Sequence, residues 1–244
     1  MNGLGGNNGI YPFGTPVAGS EVRYNDNYGA MLVTATDTQI TFQFWSRTPT
    51  KRDEYILQTT FADVAKNYWA WVFIESLKNA NITGGCATTP SLLYCPDATV
   101  TRAQMAVFLL KGIHGSAYTP PAVGTGTGFT DVPVDYWAAA WIKQLAAEGI
   151  TGGCGADIYC PDATVTRAQM AVFLLKSEHG SSYSPSNAIG VFTDVPMGYW
   201  ADKWIEQLAS EGVTSGCGVG TYCPDTDVTR AQMAVFLVKT FNLP

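Results

Sequence analysis

The chain has 244 residues and a formal net charge of −6, and charged residues make up only 14% of it. This length allows one or two domains with buried cores. Because the chain is acidic and has no basic run, nucleic acids and anionic membrane surfaces are not expected as partners. No apolar stretch approaches the roughly 18 residues of a membrane-spanning helix, so no membrane span is predicted.

The first 60 residues are predicted to form two segments. Residues 1–19 form a flexible N-terminal segment, which has neither the basic nor the apolar region of a secretory leader. Residues 20–60 form a short β-rich segment with three stretches of partly alternating β-branched and aromatic residues. These strands are predicted at 28–34, 38–45 and 55–57.

Three copies of one sequence pattern follow, and we predict them at residues 61–115, 129–180 and 192–244. Each copy contains Phe-x-Asp-Val, then Tyr-Trp, and then an Ile/Val-Thr-Gly/Ser-Gly-Cys turn. Each ends in Val-Thr-Arg-Ala-Gln-Met-Ala-Val-Phe-Leu. Three ordered copies of so long a pattern indicate a repeat protein.

The linkers between the copies span about residues 112–128 and 177–191. They are rich in Ser, Thr, Pro and Gly, which predicts exposed and extended chain. Both histidines of the protein, His114 and His179, lie in them. With no cysteine or acidic cluster beside them, neither is expected to be a metal ligand or a catalytic residue.

Each copy is predicted to fold as helix, loop, helix. In the second copy Trp137, Trp141 and Leu145 share one helical face, so the first helix is predicted from the Trp to the Leu. The second helix is predicted to open with a capping box, such as Thr101 followed three residues later by Gln104.

The six cysteines form three pairs at matching places in the copies: Cys86 with Cys95, Cys154 with Cys160, and Cys217 with Cys223. Locally paired cysteines in even number predict disulfides and an oxidising compartment, hence an exported protein. Its leader is then expected to be lost, with the chain being either a mature form or the tail of a longer precursor. A disulfide across so short a loop contributes about 2–3 kcal/mol. The alternative is zinc, but the spacing is wider than the usual C-x-x-C and no histidine is near. No metal and no cofactor is predicted.

The three copies resemble S-layer homology domains over roughly residues 61–241. The resemblance rests on Phe-x-Asp-Val, the Tyr-Trp helix, the Ile-Thr-Gly-Gly loop and Val-Thr-Arg-Ala-Gln. The chain departs from the family in having Gln where the family usually has Glu after Thr-Arg-Ala, and in its loop cysteines. The resemblance implies a mainly α fold, with three helix-loop-helix repeats in a pseudo-threefold bundle and a small N-terminal β segment. It also implies grooves between repeats that bind secondary cell-wall polysaccharide, often bearing a pyruvyl ketal.

Residues 22–38 resemble the tail that follows the catalytic core of calcineurin-like metallophosphoesterases. That core needs several His and Asp metal ligands, whereas this chain has two His, both in the linkers. The resemblance therefore implies no active site here and suggests an enzyme upstream in a longer precursor.

The repeated arginine is the main candidate for binding a glycan. It is predicted at the first helical position, where the helix terminus carries a partial positive charge. A guanidinium group adds a planar fork that suits the carboxylate of a pyruvyl ketal. The alternative is a structural role, in which each arginine pairs with the aspartate just upstream (Asp97, Asp162 or Asp225) or faces water.

The other candidates each have a structural alternative. For the Gln of the capping box and the Asp of Phe-x-Asp-Val, capping or turn formation is a better explanation than glycan binding. For the Gly before the first cysteine, a tight turn and the close approach of a sugar explain the residue equally well. The Trp of Tyr-Trp (Trp69, Trp137 and Trp200) is predicted to be core rather than a sugar-stacking residue. The predicted glycan-binding set is Arg102, Arg167, Arg230, Asp63, Asp131, Asp194, Gly85, Gly153, Gly216, Gln104, Gln169 and Gln232.

The predicted function is that of an extracellular, non-catalytic module that anchors something to the cell wall. Its expected partner is cell-wall polysaccharide or a peptidoglycan-linked glycan. The alternative is a structural subunit that self-assembles into a layer or filament as a homo-oligomer, with its N-terminal strands pairing at their edges.

Overall fold

The computed structural model describes residues 28–36 and 39–244. The predicted flexible segment, residues 1–19, lies outside the described residues. The first residues of the predicted β-rich segment, 20–27, lie outside them as well.

The N-terminal part of the described chain is a three-stranded antiparallel sheet with the order β1-β2-β3. The strands are β1 (Gly29–Ala35), β2 (Gln39–Ser46) and β3 (Lys51–Gln58). They lie where the alternating β-branched and aromatic residues predict them, and β3 begins four residues earlier than expected. The sheet packs against none of the described helices, and Leu32 and Val33, which neighbour each other and so face opposite sides, are both about half-exposed.

Each repeat has a short first helix and a longer second helix. The first helices are α1 (Trp71–Asn79), α3 (Ala139–Ala147) and α5 (Asp202–Ser210). The second helices are α2 (Arg102–His114), α4 (Arg167–His179) and α6 (Arg230–Thr240). The predicted capping box is present at the start of all three second helices, where the Thr hydroxyl accepts from the Gln backbone N–H and the Gln side chain accepts from the Thr backbone N–H.

The prediction of a mainly α fold arranged as a pseudo-threefold bundle is wrong. The described residues form six helices and a three-stranded antiparallel sheet. Two physical causes explain the difference. The stretch before the repeats pairs into a complete sheet. Within each repeat the Gly- and Pro-rich loops cannot continue a helix, and they occupy more of the chain than the helices do.

The linker prediction also needs correction at the two histidines. His114 and His179 are the last residues of α2 and α4, not parts of extended linkers. Each Nε2 lies within hydrogen-bonding distance of a glutamate at the end of the next first helix, Glu148 at 2.8 Å and Glu211 at 2.9 Å.

The repeats contact one another through both helices and loops. Helices α2, α4 and α6 contact each other, while α1 packs on α6, α3 on α2 and α5 on α4. Beside the helix starts, three backbone hydrogen bonds join the repeats head to tail. The Val100 N–H donates to Val228, that of Val228 to Val165, and that of Val165 to Val100, at 2.9–3.0 Å. This ring of bonds fixes the starts of the second helices relative to one another.

The predicted disulfides are confirmed. Each joins two cysteines of the same repeat, with Cα atoms 6.0–6.1 Å apart. In the part of the chain that the structure describes, every helix is too short or too polar to cross a lipid bilayer.

Candidate functional site

Three grooves lie between the repeats, and all are built by the same rule. One repeat supplies its Thr-Gly/Ser-Gly loop and one side of its second helix, the next supplies the Trp of Tyr-Trp, and the remaining one supplies its Arg. We number the grooves by the repeat that gives the loop. Groove 1 receives Trp137 and Arg230, groove 2 receives Trp200 and Arg102, and groove 3 receives Trp69 and Arg167.

The groove tryptophans are exposed, so the prediction that they belong to the core is wrong. Trp69, Trp137 and Trp200 are 60%, 61% and 58% exposed. Each first helix begins two residues after its Trp, so the Trp lies in the preceding turn. The buried helical face begins instead with the next residue, an alanine, and continues with Ile and Leu, as in Ala138, Ile142 and Leu145.

The arginines lie at the first helical position as predicted, but they are buried, with only 3–5% of each residue exposed. Each reaches into another repeat. The Nε of Arg102 donates to the Tyr159 carbonyl at 2.7 Å, and the Tyr159 hydroxyl donates back to the Arg102 carbonyl at 2.8 Å. The guanidinium carbon lies 4.8 Å from the centre of the same tyrosine ring. Equivalent pairs join Arg167 to Tyr222 and Arg230 to Tyr94.

Neither structural alternative for the arginines describes this arrangement. They do not pair with the upstream aspartates, because Asp97, Asp162 and Asp225 accept from the hydroxyls of the Tyr-Trp tyrosines. They do not face water either. Instead, one terminal nitrogen of each guanidinium is buried with no hydrogen-bond partner in the described structure.

Burial has an electrostatic consequence for the arginines. Desolvation lowers the pKa of Arg102, Arg167 and Arg230, although the nearby tyrosine and aspartate of the neighbouring repeat partly oppose it. A buried cation with an unpaired donor is costly. A ligand that brings an acceptor to that nitrogen would relieve part of this cost.

The predicted aspartates are not brought to the grooves. The carboxylate of Asp63 accepts from the N–H groups of Tyr94 and Cys95 at 2.8 and 2.7 Å, and Asp131 and Asp194 bind the equivalent groups of their own repeats. Burial alone would raise the pKa of Asp194, but these backbone hydrogen bonds hold it below its ordinary value. The aspartates therefore anchor the cysteine loop inside each repeat.

The predicted glycines lie in the grooves, and their conformation explains why no larger residue is found there. Gly85, Gly153 and Gly216 have φ of +89°, +93° and +95°. A Cβ on any of them would lie 2.2–2.3 Å from a backbone carbonyl oxygen of the same loop. The residue just before is different, because a Cβ at Gly84 or Gly152 would meet nothing within 4 Å.

Each predicted glutamine both lines a groove and takes part in a capping box. Gln104, Gln169 and Gln232 line grooves 1, 2 and 3. Their side-chain oxygen accepts the capping-box hydrogen bond at 3.3–3.4 Å. Among the described residues the side-chain nitrogen has no hydrogen-bond acceptor, so it remains a donor at the groove surface.

One lysine in each groove was not predicted from the sequence. Lys111, Lys176 and Lys239 line grooves 1, 2 and 3. The signal was present, because each stands nine residues after the repeated Arg in a chain with only 14 Lys and Arg. Among the residues that the structure describes, no acidic side chain lines any of the three grooves. The grooves are thus cationic sites on a protein whose net charge is −6.

Comparison with known proteins agrees with this architecture. The family model of the S-layer homology domain matches residues 128–171 and 191–234, the second and third repeats. A cellulosome-anchoring protein of Acetivibrio thermocellus is 27% identical over 63% of this chain and 34% of its own length. An S-layer protein of Bacillus licheniformis is 25% identical over 74% of this chain and 20% of its own. Exoglucanase XynX of Acetivibrio thermocellus is 30% identical over 73% of this chain and 16% of its own.

The second and third repeats are S-layer homology domains. The chain is a cell-surface protein. The chain spans about a third or less of the length of these relatives.

Proposed function

We propose that each groove binds an anionic sugar of a cell-wall polysaccharide or peptidoglycan-linked glycan, and that the chain thereby anchors a surface protein without catalysing a reaction. One observation carries the proposal. In every groove an exposed tryptophan stands beside a lysine and a buried arginine, and the described part of the chain adds no acidic side chain to the lining.

Each part of the groove suits one part of such a ligand. The exposed tryptophan ring offers an apolar face on which a sugar ring can lie, and its loss of water-exposed surface favours binding. The lysine and the unpaired guanidinium nitrogen suit a carboxylate, such as that of a pyruvyl ketal. A hydrogen bond to a charged group contributes about 1.5–3 kcal/mol.

The loop supplies room for the sugar. Because a side chain at Gly84 or Gly152 would meet nothing, the backbone there is open to a ligand. The free amide nitrogen of the capping glutamine adds a donor beside it. These features support binding, whereas the lining side chains that carry charge, Arg and Lys, suit holding an anion rather than acid–base chemistry near neutral pH.

The proposal is tested by binding of the full chain to purified wall polysaccharide, measured by calorimetry. Replacing Trp69, Trp137 and Trp200 together by Ala should abolish binding while circular dichroism stays native, since these side chains are not in the core. The matched control replaces three exposed apolar residues outside the grooves, Val134, Met197 and Val219, by Ala. Undiminished binding in the tryptophan variant would sink the proposal.

A second measurement addresses the carboxylate. Polysaccharide from which the pyruvyl groups have been removed should bind much more weakly to the native chain. Equal affinity for both preparations would mean that the cationic residues do not bind the pyruvyl carboxylate.

Self-assembly is the second candidate function, and the sheet favours it. The outer edges of β1 and β3 pair with no strand among the described residues, and such edges can template pairing with another chain. Light scattering after size exclusion distinguishes the two functions. A glycan binder stays monomeric at micromolar concentration, whereas an assembling subunit forms polymers in the absence of glycan.

The resemblance of residues 22–38 to the tail of metallophosphoesterases stays a prediction. It would fit an anchoring role, in which an enzyme upstream of the sheet is held at the wall by the repeats. The expectation is that the chain itself hydrolyses no phosphate ester, even with divalent metal added.

A further inference from the structure

A histidine and two glutamates meet at the junction between the second and third repeats. The Nε2 of His179 lies 2.9 Å from a carboxylate oxygen of Glu211 and 3.9 Å from one of Glu178. One ligand atom from each of the three residues lies within 4.8 Å of the others. Two of these residues end α4, and the third follows α5.

The cluster is held in place from outside. The Tyr183 ring lies 4.3 Å from the His179 ring, centre to centre, and the Gln207 side-chain amide donates to Glu211 at 2.7 Å. The other carboxylate oxygen of Glu211 is buried and has no hydrogen-bond partner among the described residues. An unpaired buried carboxylate oxygen is costly unless a donor or a cation meets it.

The first junction provides an internal comparison. His114 lies 2.8 Å from Glu148, the Tyr118 ring lies 4.3 Å from the histidine ring, and Gln144 donates to Glu148 at 2.7 Å. Ile113 stands where the second junction has Glu178. No oxygen of Glu148 is both buried and unpartnered within the described structure. A hydrogen-bonded His–Glu pair is thus enough to connect two repeats at a junction, and the carboxylate of Glu178 is left without a structural role.

We propose that Glu178, His179 and Glu211 form a zinc site that clips the second repeat to the third. Zinc binds imidazole nitrogen and carboxylate oxygen at about 2.0–2.2 Å, so two of its ligand atoms lie roughly 3–3.5 Å apart. The two distances from His179, 2.9 and 3.9 Å, bracket that spacing. Calcium and magnesium prefer oxygen ligands alone, which makes them poorer occupants. Three protein ligands leave a fourth position for water.

The charge of the site supports a cation. With both glutamates ionised and the histidine neutral, the cluster carries two negative charges. Zinc would replace the hydrogen bond between His179 and Glu211 by two bonds to the metal and would bring in the oxygen of Glu178. The sequence-based expectation of no ligand role for His179 rested on the lack of a cysteine or acidic cluster beside it, whereas the fold brings Glu178 and Glu211 next to it.

Calorimetric titration of the full chain with zinc chloride tests the proposal. The native chain should bind one zinc ion, reversibly on addition of chelator, and zinc should raise its melting temperature. Glu178→Ile, which reproduces the first junction, should weaken binding at least tenfold, since even losing a group that only supports a ligand costs roughly 10–100-fold. The variant retains the His–Glu hydrogen bond and should keep native circular dichroism.

The reciprocal variant should gain a zinc site rather than lose one. Ile113→Glu should raise the stoichiometry from one zinc ion to two, because it gives the first junction the missing carboxylate. The proposal is overturned by a native chain that binds no zinc, by undiminished binding in Glu178→Ile, or by a stoichiometry that stays at one in Ile113→Glu.

Discussion

Groove 3 differs from grooves 1 and 2 although all three follow one plan. Its loop has Ser215 where the others have Gly84 and Gly152. Its lysine, Lys239, donates to the Gly212 carbonyl at 3.0 Å, whereas Lys111 and Lys176 make no such bond in the described structure. Its cavity measures about 170 Å³, compared with about 280 Å³ in groove 1 and 340 Å³ in groove 2. Three similar repeat sequences therefore do not give three equal grooves, since groove 3 combines one substitution and one additional lysine hydrogen bond with a smaller cavity.

The largest expected effect is a difference in polysaccharide binding between groove 3 and the other two grooves. Replacing Trp137 and Trp200 together by Ala should weaken binding to wall polysaccharide by about a hundredfold or more, because truncating a central aromatic residue costs roughly 2 kcal/mol or more and grooves on one chain act together. Trp69→Ala should weaken it less than about threefold. Calorimetry with one polysaccharide preparation measures both, and equal losses for Trp69→Ala and either other single variant would remove the distinction.

The arginines should give the opposite result, an equal effect in all three grooves. Each of Arg102→Ala, Arg167→Ala and Arg230→Ala removes a buried hydrogen bond and a guanidinium–tyrosine contact between repeats, so each should lower the free energy of unfolding by about 2–4 kcal/mol. Urea denaturation measures this. Conversion of one arginine to Lys, which keeps the charge but loses the planar fork, should destabilise nearly as much.

A smaller effect concerns acid stability in the third repeat. The folded pKa of Asp194 lies below its unfolded value, so its hydrogen bonds stabilise the fold above about pH 4, and this contribution is lost as the pH falls through the folded pKa. Asp194→Asn should cost about 1 kcal/mol at pH 7, and the difference from the native chain should shrink below pH 4. Urea midpoints across this range measure it. A pH-independent difference would show that the charge is not involved.

The smallest effect is a gain at groove 3. Ser215→Gly should enlarge the cavity and raise the affinity of a chain that lacks Trp137 and Trp200 by a few-fold, because a larger cavity admits more of the sugar. Gly152→Ser, placed in the native chain, should lower affinity by a similar factor without destabilising the fold, since that position is open. If both variants bind like their parents, the serine does not explain the difference between the grooves.

Much of the local structure could be predicted from the sequence because it depends on neighbours along the chain. The capping boxes need only a Thr and a Gln three residues apart, and the disulfides join cysteines nine or six residues apart. The alternating residues of 28–57 likewise predict strands, though not that they would form a sheet separate from the helices.

What could not be predicted depends on contacts between repeats. Arg102 is paired with Tyr159, 57 residues away, and periodicity within one repeat carries no information about such a partner. Trp137 has the spacing of a core residue, but its helix begins two residues later, which turns the ring outward. The grooves themselves exist only where three repeats meet, so their composition becomes visible only in the folded chain.

Because every groove takes side chains from all three repeats, the number of copies in this module is not adjustable. Open solenoids lengthen or shorten by whole repeats while the remaining binding surface is preserved. Here the ring of hydrogen bonds through Val100, Val165 and Val228 closes on itself. Loss of one copy by recombination or by a protease would leave no groove intact, and a fourth copy would have no place in the ring. The three copies therefore act as a single unit, in which no groove is complete without all of them.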